Sequence, residues 1–148
     1  MDTTQWLTYN NAAFGFALEY PDSFVVLREP PGAPAAPLVE RVRFLEQFLA
    51  ESETRDLHPP NFHIEIFARP AGGTLRQWLA SSGQVPAGAA IEAFAIAGAS
   101  ESLRVADPKL IAPNEFYYAA GDRYIYKLTP IGDAGPRMLA SFRIAAPR

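Results

Sequence analysis

Between Pro59-Pro60 and Pro70, the apolar residues Phe62, Ile64 and Ile66 alternate with His63 and Glu65, and Ala68 continues the phase past Phe67. Side chains two residues apart share one face of a strand, so this stretch reads as a strand with one buried and one polar side. Proline at both ends removes ladder donors and fixes its length. The same period recurs elsewhere. Phe14, Phe16 and Leu18 alternate with Gly15, Ala17 and Glu19 after a short aromatic run at residues 5–9. Asn10-Asn11 predicts a turn between them, hence a hairpin, and Tyr20-Pro21-Asp22 ends it. Residues 24–27 resume an extended run. Residues 91–97 and 103–105 predict strands on either side of Gly98. Residues 116–119 and 124–128 predict a hairpin turning at Gly121-Asp122, with Tyr117, Tyr118, Tyr124 and Tyr126 on its faces.

Two segments break the strand pattern as helices. Thr74-Leu75-Arg76-Gln77 matches a capping box: the Thr74 hydroxyl serves the backbone at Gln77, and the Gln77 side chain reaches back. Leu75, Trp78 and Leu79 then form one stripe, and Gly83 is a natural stop. Near the C-terminus, Pro136 suits the first helical position, and Met138, Leu139 and Phe142 share a face. Residues 38–49 carry both periods. Leu38, Val42, Leu45, Phe48 and Leu49 fit a helix, while Val42 and Phe44 also fit a strand. Pro30, Pro31, Gly32, Pro34 and Pro37 predict a stiff loop, and residues 51–56 a charged one. Tight turns between strands predict an antiparallel sheet, and the helices flanking it predict an α+β fold.

The chain of 148 residues suits one domain spanning residues 1–148. Its composition, 49% apolar and 20% charged, is that of a chain able to bury a core. A net charge of −3 with no basic cluster argues against a nucleic-acid partner. Lys109 and Lys127 are the only lysines, so basic charge is mostly arginine. With no cysteine, thiolate catalysis, disulfides and cysteine-ligated metals are excluded. No apolar run approaches the roughly 18–20 residues of a transmembrane helix. The start, Met1-Asp2-Thr3-Thr4-Gln5, lacks the basic and apolar regions of a signal peptide. That leaves a cytoplasmic protein, or an extracytoplasmic domain without its leader.

Thr8-Tyr9-Asn10, Phe14-Gly15-Phe16 and Tyr20-Pro21 resemble the opening of PsbP-like domains. Thr74-Leu75 with Trp78-Leu79, Ile96-Ala97-Gly98, the tyrosine-rich hairpin and Met138-Leu139-Ala140-Ser141-Phe142 continue the resemblance in order along nearly the whole chain. It implies an antiparallel sheet flanked by helices, an α/β/α sandwich, and places a strand near residues 40–45. The fold is shared with the extrinsic subunit of photosystem II and with a nuclear-import factor that binds the Ran GTPase. Members are typically non-enzymatic binding or assembly modules, and many bacterial ones are exported, often as lipoproteins, with no assigned function. This chain departs from that pattern in having no lipobox cysteine and no basic N-terminal arm, which speaks against a photosystem role.

Candidate chemistry is sparse. Gly98-Ala99-Ser100-Glu101-Ser102 approaches the nucleophile elbow G-x-S-x-G, but Ser102 stands where glycine is needed and an extended segment follows. His58, His63 and Glu65 are the one metal-like set. His63 and Glu65 share a strand face, and His58 would have to fold back across Pro59-Pro60. A solvated strand face is the plainer reading. Residues 51–56 lack calcium-loop spacing, and Gly72-Gly73-Thr74 lacks the lysine of a P-loop. Tyr117 and Tyr124 are candidates for an aromatic binding surface, against the commoner alternative of cross-strand packing.

The expectation is therefore a non-catalytic protein-interaction or assembly module with an unidentified protein partner and no cofactor. Its contact surface is expected at His63 and Glu65 or in the loop at residues 30–37. A homo-oligomer is compatible with the sequence. The alternatives are a small-ligand or metal-binding domain, including the exported part of a lipoprotein, and a hydrolase using Ser100.

Overall fold

A computed structural model describes residues 4–29, 38–53, 60–110 and 114–145. Seven strands form two antiparallel meanders, of three and four strands, that meet in the middle of one sheet. The first meander is β3 (Phe24–Glu29), β4 (Leu38–Glu46) and β5 (Phe62–Ala68). The chain then passes over one face as helix α2 (Leu75–Ser82) and reaches the far edge at β6 (Ala90–Ala93). It returns through β7 (Glu101–Ala106), β8 (Glu115–Ala120) and β9 (Tyr124–Pro130), and β9 pairs with β5. The sheet order is β3-β4-β5-β9-β8-β7-β6, antiparallel throughout.

The N-terminal hairpin, β1 (Trp6–Asn11) and β2 (Phe16–Pro21), does not extend that sheet. It forms a second, three-stranded sheet with β10 (Arg143–Ile144), in the order β1-β2-β10. The expectation of a single sheet is corrected here. Phe16 and Leu18 of β2 are buried on the aromatic face of the large sheet, so the hairpin packs face to face with it. Helix α3 (Gly135–Ser141) lies in the same layer, with Met138 and Leu139 in that core. The molecule is thus an α+β sandwich: small sheet with α3, large sheet, then α2.

Alternation along β4 and β5 feeds both cores. Val42, Phe44, Phe62, Ile64 and Ile66 point to the small sheet, and Phe67 points to α2. On that second face, Leu75, Trp78 and Leu79 are buried against Phe67, Leu103, Tyr118 and Ile125. Each such side chain contributes about 1.5–3 kcal/mol of burial. The capping box is formed as expected. Gln77 N–H donates to Thr74 Oγ1 at 3.2 Å, and Thr74 N–H donates to Gln77 Oε1 at 2.8 Å. Another free N–H of the first turn, that of Leu75, donates to Glu101 Oε2 at 3.1 Å and ties the helix to β7. Gly83 ends α2 with φ +74°.

The ambiguous stretch resolves as strand to Glu46 and then a short helix, α1 (Gln47–Ala50), so each period governs its own part. Asn10 and Asn11 end β1, and the turn lies beyond them. The Asn11 side chain starts that turn by accepting from Phe14 N–H at 3.0 Å. The strand expected over residues 91–97 pairs only as far as Ala93, after which Ala97 makes a single bridge to Arg143. Pro136 is the second residue of α3, after Gly135. The proline-rich loop at residues 30–37 lies outside the described residues.

Candidate functional site

The α2 side of the large sheet is only partly covered by the helix, and His63 and Glu65 stand on the remainder. Register places Arg41 and Lys127 opposite Glu65, and Arg43 and Thr129 opposite His63. Glu65 is therefore ringed by basic groups: Arg41 Nε at 4.0 Å, Lys127 Nζ at 3.8 Å and His63 Nδ1 at 4.0 Å. Arg43 pairs with Glu29. Lys127 also lies over the Phe116 ring, 4.7 Å from its centre. Burial lowers the His63 pKa from its ordinary value. Glu65 works against that shift, and Arg41, Arg43 and Lys127 reinforce it. His63 is accordingly neutral at pH 7. Its Nε2 is shut off from solvent and has no hydrogen-bond partner among the described residues.

This geometry brings His63 and Glu65 together but commits the carboxylate to neighbouring cations. Among the described residues, no group of three or more acidic or histidine side chains is arranged to hold a metal ion. His58 lies outside the described residues.

The four tyrosines do not share a surface. Tyr117 is buried, its ring 4.7 Å from that of Phe94 and its hydroxyl donating to Glu115 Oε2 at 2.8 Å. Arg104 and Tyr117 hold the Glu115 carboxyl below its ordinary value, and burial pushes Tyr117 up. Tyr118 faces α2 and packs on Trp78, and burial raises its pKa too. Tyr126 donates to the Phe14 carbonyl, and burial pushes it up to about 12. Tyr124 alone of the four is half-buried, with its ring edge-on to Phe14 at 5.0 Å. Tyr117 is therefore removed from any binding surface by the alternation that makes the hairpin pack.

Ser100 does not stand on an elbow. It leads directly into β7, donates to the Ala120 carbonyl at 3.0 Å and accepts from Arg69 Nη1 at 3.1 Å.

Around Ser100 lies a feature the sequence reading missed. The β1–β2 turn, the Gly98–Ser100 loop, the β8–β9 turn and the end of β10 enclose an open groove of ≈ 990 Å³. Phe14, Phe16, Tyr124 and Tyr126 line it with rings, and Arg123 and Arg143 stand on it as exposed cations. Arg69 clamps two of its walls by donating to Ser100 Oγ and, at 2.7 Å, to the Gly121 carbonyl. Glycine is required at position 98. There φ is +81°, and an added Cβ would lie 2.2 Å from the Ile144 carbonyl oxygen. Among the described residues Arg69, Arg123 and Arg143 are ion-paired with no carboxylate, and Asp122 is the one acid lining the groove. The available signal was the preference for arginine over lysine together with two glycine turns. Nothing local says that those turns converge.

Fold and site define an antiparallel α+β sandwich with an arginine-bearing groove where its turns meet. A solved structure similar to this chain is the solution structure of cyanobacterial PsbP from Synechocystis sp. PCC 6803, with a TM-score of 0.47 and 12% identity over 94% of this chain and 92% of that one. No family model matches the sequence, and no curated protein matches it. Among the described residues, no helix is long and apolar enough to cross a membrane.

Proposed function

We propose that this chain is a PsbP-like domain acting as a non-catalytic interaction or assembly module, with the groove as its contact surface for a protein partner. The ordered sequence motifs support the family reading. One observation carries the functional reading: among the described residues, Arg123 and Arg143 of the groove are left without carboxylate partners, whereas the charges expected to form a site on the large sheet are satisfied by one another. Exposed arginine beside aromatic rings is a composition favoured at protein interfaces. The groove is partly open to solvent, which suits a chain segment better than an enclosed small molecule.

The test is site-specific photo-crosslinking in the native host from two positions, Ala13 at the groove and Arg41 on the polar face. A discrete protein adduct from position 13 and none from position 41 is expected. Adducts from position 41 alone, or from neither position, would contradict the reading.

A further inference from the structure

The geometry points to an acidic peptide segment carrying aromatic side chains as what the groove binds, an inference that rests on the interaction reading above. Arg123 and Arg143 are exposed at the groove, and Arg69 braces its wall through its bonds to Ser100 and Gly121. Against them the groove sets only Asp122. Guanidinium groups pair with carboxylates by two parallel hydrogen bonds, so arginines in one groove with no carboxylate partner among the described residues select carboxylate-bearing segments. The same groove is lined by the half-buried ring of Tyr124, packed edge-on against Phe14 at 5.0 Å. That arrangement accepts a further ring edge-to-face.

The walls are fixed before any ligand arrives. Arg69 joins the Ser100 loop to the β8–β9 turn, and the Tyr126 hydroxyl holds the Phe14 carbonyl. Binding therefore orders little of this protein, which favours affinity. A nucleic acid is the poorer fit. Its phosphate backbone is held by a basic stripe making many contacts, and this chain carries −3 overall.

The probe is a fluorescein-labelled peptide alternating glutamate and phenylalanine, compared by anisotropy with its lysine–phenylalanine counterpart. The acidic peptide is expected to bind at least about tenfold more tightly than the basic one, a difference of about 1.4 kcal/mol. R123E/R143E should weaken it by about tenfold or more, while K109E, at a turn beyond the other end of β7, should not. Circular dichroism confirms that the variants are folded. Three results would overturn the inference: equal binding of the two peptides, K109E matching the double reversal, or an oligothymidylate displacing the peptide at a lower concentration than unlabelled peptide does. A partner crosslinked at position 13 with full affinity for R123E/R143E would sink this inference and leave the interaction reading intact. No adduct at position 13 would sink that reading itself.

Discussion

On the polar face of β4, β5 and β9, Glu65 lies within 4.0 Å of Arg41, Lys127 and His63, and Arg43 is paired with Glu29. At the groove, Arg123 and Arg143 face outward with no such partner among the described residues. Both regions hold arginine, both are partly exposed, and both adjoin aromatic rings. The difference is register. Antiparallel pairing sets side chains of one face about 5 Å apart, so opposite charges there satisfy each other. Arg123 sits on a turn, which has no register, and the in-register partner of Arg143 on β10 is Ala17, so neither is set opposite a carboxylate. A charge set opposite its counter-charge across a ladder is thus more readily structural than one whose neighbours are uncharged.

The largest effect that would sharpen this comparison is expected from Gly98→Ala. It strains a left-handed backbone and drives a Cβ into the Ile144 carbonyl, at the point where Ile144 N–H bonds the Ala97 carbonyl at 2.9 Å. A loss of about 3 kcal/mol or more by chemical denaturation is expected, with faster amide exchange at Ile144. A loss below about 1 kcal/mol would show that the groove wall is not rigid. Next comes Glu65→Ala, which leaves three cationic or basic groups facing one another. It should cost about 1–2 kcal/mol, between the values for exposed and buried pairs. It should also lower the His63 pKa further, readable by NMR titration, because the one opposing charge is gone.

Acidification probes the same face more gently. Burial first, then Arg41, Arg43 and Lys127, hold folded His63 below its ordinary value near 6.5. Below that pH the unfolded chain takes up a proton that the folded chain resists. Stability is therefore full above about pH 6.5 and declines as pH falls toward the folded value. Thermal melts of His63→Gln should show a flatter decline than the parent over that window. An equal decline would mean that His63 is not the group responsible. The smallest stability effect, within about 0.5 kcal/mol, is expected for R123E/R143E, since among the described residues neither is in an ion pair and the Arg143 guanidinium makes only a 3.4 Å bond to the Ser141 carbonyl. A larger loss would make the groove cations structural, and the contrast between the regions would collapse.

Much of this architecture was legible because it is written in local patterns. The alternation of Phe62, Ile64 and Ile66, the Thr74–Gln77 capping box and the hairpin at Gly121-Asp122 all stand where the residues put them. The second sheet was hidden because it depends on pairing Arg143 and Ile144 with Ala17 and Phe16, more than a hundred residues away, through a two-residue strand. The tyrosines misled because adjacent Tyr117 and Tyr118 point to opposite cores, and neither reaches a shared surface. His63 and Glu65 were rightly placed together on one face. What the sequence did not show was the company they keep, since Arg41 and Lys127 arrive by register from other strands. The groove was invisible for a related reason: each turn can be read alone, but their convergence is a tertiary fact.

The most direct test of where this molecule makes its contacts is amide chemical-shift mapping with the glutamate–phenylalanine peptide. Perturbations centred on Gly15, Gly98, Ser100 and Gly121, with Arg41, His63 and Lys127 unmoved, are the predicted result. Perturbations centred on Arg41, His63 and Lys127, with the groove silent, would contradict it.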